Sequence, residues 1–261
     1  MLIDSNAYIG HWPFLKLENN TPETLLRRMK EFGTDVSVIS NLNGIFYKNT
    51  QHANEELFDA LRGKSSYRSR LIPFAVINPL YGGWRDDFKI CTTRMGMKGL
   101  RLYPQYHGYD IAAEPCVELV KMCRDNGLPV AFCLRMVDSR TSSWMDLDKE
   151  WTLKNIVPIV KAVPDARYLI VNAANSLALN EEEMQLFRKA DLLIDSSGRS
   201  MTYWSELFQL FGTNKFCFGT HAPLLDYFSG LLRIESLREN EADEKTKELL
   251  RSGNIKKWFG L

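Results

Sequence analysis

Apolar and polar residues alternate along the opening stretch MLIDSNAYIG. Ile3, Ser5 and Ala7 fall on one side, and Asp4, Asn6 and Tyr8 on the other, which is the period of a strand. A strand inside a parallel sheet is apolar on both faces, so this polar face calls for a cavity beside it. Gly10 and His11-Trp12-Pro13 then turn the chain into a loop.

The rest of the chain repeats a strand-then-helix pattern. Thr21 and Pro22 start a helix that runs to about residue 32 and stops at Gly33. DVSVIS at 35–40 reads as a second strand, and a helix from Asn49-Thr50 runs to about residue 62. LIPFAVI at 71–77 is a third strand, residues 84–94 a helix, and KGLRLY at 98–103 a fourth strand. Residues 114–126 form an amphipathic helix closed by Gly127, and PVAFCL at 129–134 a fifth strand. Residues 138–150 are a polar insertion with Trp144 and Trp151 beside it, available as a lid or as packing. Helices at 153–162, 181–190 and 201–211 separate strands at 168–171, 192–195 and 216–219, and a helix at 242–251 closes the chain. The glutamates Glu181 to Glu183 suit the positive end of a helix dipole.

Eight strand-helix units predict an α/β protein with a single (β/α)8 TIM barrel over residues 1–261. An open doubly wound sheet is the rival architecture. Gly82-Gly83 and Gly96…Gly99 lack the spacing of a dinucleotide-binding loop, which speaks against it.

Composition narrows the function classes. The net charge of +1 gives no basic face for nucleic acid. No apolar run reaches membrane-spanning length and no leader pattern is visible, so a cytoplasmic protein is expected. The 5 cysteines lack a C-x-x-C pair, which suits reduced thiols. With only 4 histidines, a site built of many imidazoles is excluded.

Barrel sites gather at the C-terminal ends of strands. Strand parity there turns Arg101 and Tyr103 inward with His107 in the following loop, and turns Ala131, Cys133 and Arg135 inward with Asp138 and Arg140 after them. Asn172 ends the sixth strand, Asp195 the seventh with Ser197 and Arg199 nearby, and the eighth runs into Gly219-Thr220-His221-Ala222-Pro223. Inward arginines need anions. Asp4, Asp138 and Asp195 are the internal candidates, and a carboxylate or phosphate ligand is the external one.

The ordered blocks IDSNAYIG, GMKGLRLYP, GLPVAF, FCFGTHAP and SGNIKKWFGL resemble the amidohydrolase-related group of the amidohydrolase superfamily. The resemblance implies a distorted (β/α)8 barrel that hydrolyses or decarboxylates small molecules with a divalent metal. It also places departures at every ligand position. Asn6 and Tyr8 stand at the first-strand His-x-His, Cys133 and Asn172 at the fifth- and sixth-strand histidines, and His221 at the eighth-strand aspartate. Neutral Asn and Tyr are poor ligands for a zinc-type ion.

The expected activity is therefore amidohydrolase-like hydrolysis of a small anionic lactone, ester or amide without cofactor. His221 is expected to activate water, and His107 or Tyr103 to polarise the bond. Asn6, Tyr8, His11, Arg101, Arg135 and Asn172 are expected to bind substrate. A non-catalytic small-molecule-binding barrel is one alternative. The other is a metal-dependent hydrolase or decarboxylase with a divalent ion such as zinc relocated to Cys133 and His221. Asp4 reads as a strand-end anchor and Cys133 as a small buried residue. The expected partner is a small anion, with neither nucleic acid nor membrane, and homo-oligomerisation stays open.

Overall fold

The computed structural model describes residues 1–137, 143, 146–147, 150–173, 177–198, 201 and 203–260. Asp138, Arg140, Trp144 and Arg199 of the sequence reading lie outside the described residues.

Nine strand segments form the barrel wall: β1 Ile3–Ile9, β2 Val36–Asn41, β3 Leu71–Pro73, β4 Ala75–Val76, β5 Leu100–Leu102, β6 Val130–Cys133, β7 Arg167–Val171, β8 Asp191–Asp195 and β9 Phe216–Cys217. All pairings between them are parallel. β3 and β4 are halves of one wall strand, which changes partner at Phe74. The Phe74 amide donates to the Ile39 carbonyl (2.8 Å), and the next amide, Ala75, to Gly99 on the other side (2.9 Å). The wall closes where β1 meets the segment after β9. Ser5 N–H donates to the Phe218 carbonyl (2.9 Å), His221 N–H to Asn6 (2.7 Å) and Tyr8 N–H to Ala222 (2.7 Å).

The helices follow their capping signals. Thr21 and Thr24 form a reciprocal capping box for Pro22–Glu31, Asn49 caps Thr50–Arg62, and Asn180 pairs with Glu183 at the start of Glu181–Lys189. Strand parity holds in β5 and β6. Leu100, Leu102, Val130, Phe132 and Leu134 pack outward on the helices, while Ala131 and Cys133 belong to the interior. Trp151 packs against the outer core.

The first strand corrects its sequence reading. Ile3 lies inside the barrel with Val38, Phe74 and Leu169, whereas Ala7 and Ile9 lie outside against Leu25 and Met29. The β1–β2 register shifts between Asp4 and Ala7. This bulge reverses parity, so an inward apolar start is followed by inward Asn6 and Tyr8. The floor of the barrel is closed by Ile255 and Trp258 of the last helix, Asn254–Phe259. Among the described residues no helix is long and apolar enough to cross a membrane.

Candidate active site

The buried mouth of the barrel is organised by the amide of Asn6. Arg101, from β5, donates through Nη1 to Asn6 Oδ1 (2.7 Å). A guanidinium only donates, so this bond fixes the amide's orientation. The Nδ2 group then faces Ser197 Oγ (3.1 Å) and His221 Nδ1 (3.0 Å). His221 Nδ1 is therefore the acceptor, and its proton sits on Nε2, which donates to the Met136 carbonyl (2.8 Å). Ser197 passes its hydroxyl proton toward Asp195 Oδ2 (2.7 Å), and Asp195 Oδ1 accepts the Asn172 amide (2.8 Å). Arg101, Asn6, His221, Ser197 and Asp195 thus form one connected network.

Burial sets the protonation states. His221 is pulled down to about 3, first by burial and then by the charges of Arg101, Arg135 and Arg233. It is a neutral imidazole with both ring nitrogens engaged. No lone pair is left for the water-activating role expected of it. Cys133 is pushed up to about 12 by burial, so it stays a thiol, and it donates to the Arg135 carbonyl (2.9 Å). Burial also raises the Asp195 carboxyl, against its hydrogen-bond donors.

Arg101 is 1% exposed, and its guanidinium lies 4.4 Å from the centroid of the Tyr8 ring. Nη2 donates to the Val38 carbonyl (3.2 Å) and, at longer range, to Ser5 (3.5 Å). Among the described residues no carboxylate stands within ion-pair distance of it. Its Nε–H has no hydrogen-bond partner among the described residues, and the buried Tyr103 hydroxyl lies beside Arg101 and Tyr8 without a well-formed bond to either. The Tyr8 hydroxyl reaches the Met136 sulfur (3.8 Å) and lies beside Tyr103 and Cys133.

The other expected residues are placed differently. Arg135 pairs with Glu150 (2.9 Å), a partner missed in the sequence, and donates through Nε to the Val137 carbonyl (2.5 Å). Asn172 braces the Arg135 carbonyl through Nδ2 (2.5 Å). His107 Nε2 meets the Gly44 carbonyl (3.1 Å), bracing the short helices Asn43–Phe46 and Pro104–His107 behind Tyr103. His11 is exposed and pairs with Asn20 (3.2 Å), outside the Asn6 network. Asp4 is a strand-end anchor, accepting from Thr220 N (2.9 Å) and Oγ1 (2.7 Å).

Two devices escaped the sequence reading. Trp12, Phe14, Phe46 and Tyr106 form an edge-to-face roof over the mouth. Asp146 clasps it, accepting from Trp12 Nε1 (3.2 Å) and Tyr106 OH (3.2 Å). Arg233 holds the carbonyls of Ser196, Ser197 and Gly198 from the helix Tyr227–Glu235. The signal available for that helix was its cap, Asp226, which accepts from the Ser229 amide (3.2 Å).

The sequence profile of the amidohydrolase family matches residues 5–261. The chain belongs to the amidohydrolase family. A search of curated proteins found no match for this amidohydrolase. Solved structures share its barrel at low identity. An amidohydrolase II crystal structure is 13% identical, with full coverage of both chains and a TM-score of 0.77. The 5-carboxyvanillate decarboxylase of Novosphingobium aromaticivorans, with bound manganese and a nitrobenzoic acid, is 13% identical (TM-score 0.72, covering 100% of this chain and 97% of that one). A protein of Acinetobacter baumannii described as a 2-pyrone-4,6-dicarboxylic acid hydrolase, with citric acid bound, is 13% identical (TM-score 0.68, covering 100% and 99%).

The donors of this amidohydrolase do not suit a divalent ion. His221 has both nitrogens committed, the Cys133 sulfur is turned to the Arg135 carbonyl, and Asn6 Oδ1 faces a guanidinium. Among the described residues no three His, Cys, Asp or Glu side chains gather at ion-binding spacing.

Proposed function

We propose that this amidohydrolase binds a small carboxylate at the barrel mouth and hydrolyses an activated acyl bond in it, a lactone or ester, without a divalent metal. The observation that carries the reading is Arg101: a buried guanidinium with no carboxylate at ion-pair distance among the described residues and an unpaired Nε–H. A buried cation lacking a counter-ion is strongly destabilising, and a ligand carboxylate removes that penalty. The Tyr103 hydroxyl, without a well-formed hydrogen bond among the described residues, adds a donor for the same anion or for an oxyanion that develops beside it. The nitrobenzoic acid and citric acid held by the solved relatives are in keeping with a small acid as ligand.

A second reading, binding without turnover, is favoured by His221, whose two ring nitrogens are both occupied. One experiment separates the two. Benzoates, dicarboxylates and citrate are titrated by calorimetry, and their esters and lactones are assayed with chelator present. Binding with turnover supports hydrolysis, and binding alone supports the second reading. If no acid binds, both are overturned. Tyr103→Phe is expected to weaken binding roughly fivefold or more, the worth of one buried hydrogen bond.

A further inference from the structure

We infer that the guanidinium of Arg101 is the resident cation of this barrel and that it excludes a divalent ion. The inference rests on the metal-free part of the function proposed above.

Arg101 reaches from β5 across the mouth to the first two strands. Its neighbours there are Asn6 and Tyr8, which match the first-strand ligand pair of the metal-dependent barrels that this sequence resembles. Cys133, a third matched position, is close enough to feel its charge. The surroundings are arranged as a shell for a cation. Asn6 Oδ1, the Val38 carbonyl and the Ser5 carbonyl turn their lone pairs to it, and the Tyr8 ring offers its π face. All are neutral groups. The nearest link to a carboxylate is indirect, through Asn6 and Ser197 to Asp195. A divalent ion among these side chains would meet a fixed like charge at close range, with the available lone pairs already turned to that charge.

The shell also has donors to spare. Among the described residues Nε–H lacks a partner, and the Tyr103 hydroxyl beside it has no well-formed hydrogen bond. In a metal site the ion would take a ligand oxygen directly. Here the oxygen is taken through two hydrogen bonds, one from the Tyr103 hydroxyl and one from a guanidinium that cannot be deprotonated at working pH. Such a cation steadies negative charge but generates no metal hydroxide. The site therefore favours ligands that arrive already anionic.

The test measures metal content and anion affinity separately. Parent, Arg101→Met and Arg101→Lys are equilibrated with millimolar Mn2+ or Zn2+, dialysed, and assayed by elemental analysis and thermal melting. The parent and Arg101→Lys are expected to retain no metal and to melt unchanged with chelator. Arg101→Met removes the charge and also the donor that fixes the Asn6 amide. It is expected to hold Zn2+ roughly tenfold tighter or more, through the Cys133 sulfur and the His221 Nδ1 lone pair that a turned Asn6 amide releases. Parent protein carrying stoichiometric metal, or an Arg101→Met variant no better at holding zinc than the parent, overturns the inference. If Arg101→Met does not fold, the parent's metal content and its response to chelator decide. Benzoate binding by the parent is scored independently. Its absence sinks the proposed function while leaving the cation assignment to be judged on metal alone.

Discussion

At the scale of single residues, two buried titrating groups pull in opposite directions. Asp4 is pushed by burial from 3.8 to about 6, so the folded state holds its proton more tightly, and this contribution to stability falls as pH rises from about 4 to about 6. His221 is pulled from 6.5 to about 3, so its contribution is present above about 6.5 and is lost as pH falls toward 3. In the shared window the two slopes oppose each other. Urea unfolding of His221→Gln against the parent isolates the imidazole. The stability difference should change by about 1.4 kcal/mol per pH step between roughly 3 and 6.5, with the variant gaining on the parent toward acid. A flat difference would remove the neutral buried imidazole from the account. Gly219 makes a steric prediction. An added Cβ there would clash with Asp195 Oδ2, so Gly219→Ala should cost about 2 kcal/mol in unfolding free energy and disturb the Ser197–Asp195 bond.

At the scale of elements, the roof depends on one carboxylate. Asp146→Ala removes the acceptor of both the Trp12 indole and the Tyr106 hydroxyl. Exchange of the Trp12 Nε1–H, followed by NMR, should quicken roughly tenfold, the worth of a single buried hydrogen bond. Unchanged exchange would mean that the rings hold the roof unaided. This element also shows where sequence reading stops. Period-two alternation placed Arg101 and Cys133 inward, because β5 and β6 keep regular parity. It misassigned Ile3, because a bulge leaves no mark in the residue pattern. Asn172 (φ 52°) and His221 (φ 59°) adopt left-handed backbone at their strand ends, which re-aims both side chains and is equally invisible to alternation. Short helices such as Asn43–Phe46 and Pro104–His107 escaped because a single turn has no amphipathic period to detect. The partners Glu150 and Asp146 sit in an insertion whose polarity announced a loop without saying what it would touch.

At the scale of the whole molecule, closure joins the first strand to the last wall segment, so neither end of the chain completes a core alone. We expect one calorimetric unfolding transition for residues 1–261, as a single domain requires. Trp258 closes the floor at 9% exposure and donates through Nε1 to Asp191 (2.7 Å). Trp258→Ala should cost about 3 kcal/mol and lower the melting temperature by about 10 °C without splitting the transition. A second, independently melting unit would refute the single-domain reading.

The register shift in β1 has a consequence for how this barrel can change over generations. It acts as a phase break between two half-strands. The stretch before it answers to the scaffold, where Ile3 meets Val38 and Phe74, and the stretch after it answers to chemistry, through Asn6 and Tyr8. Mutations in the second half can rewrite what the mouth recognises while the first half stays in step with its neighbours. A lost or gained residue at the break would put the two halves out of step at once.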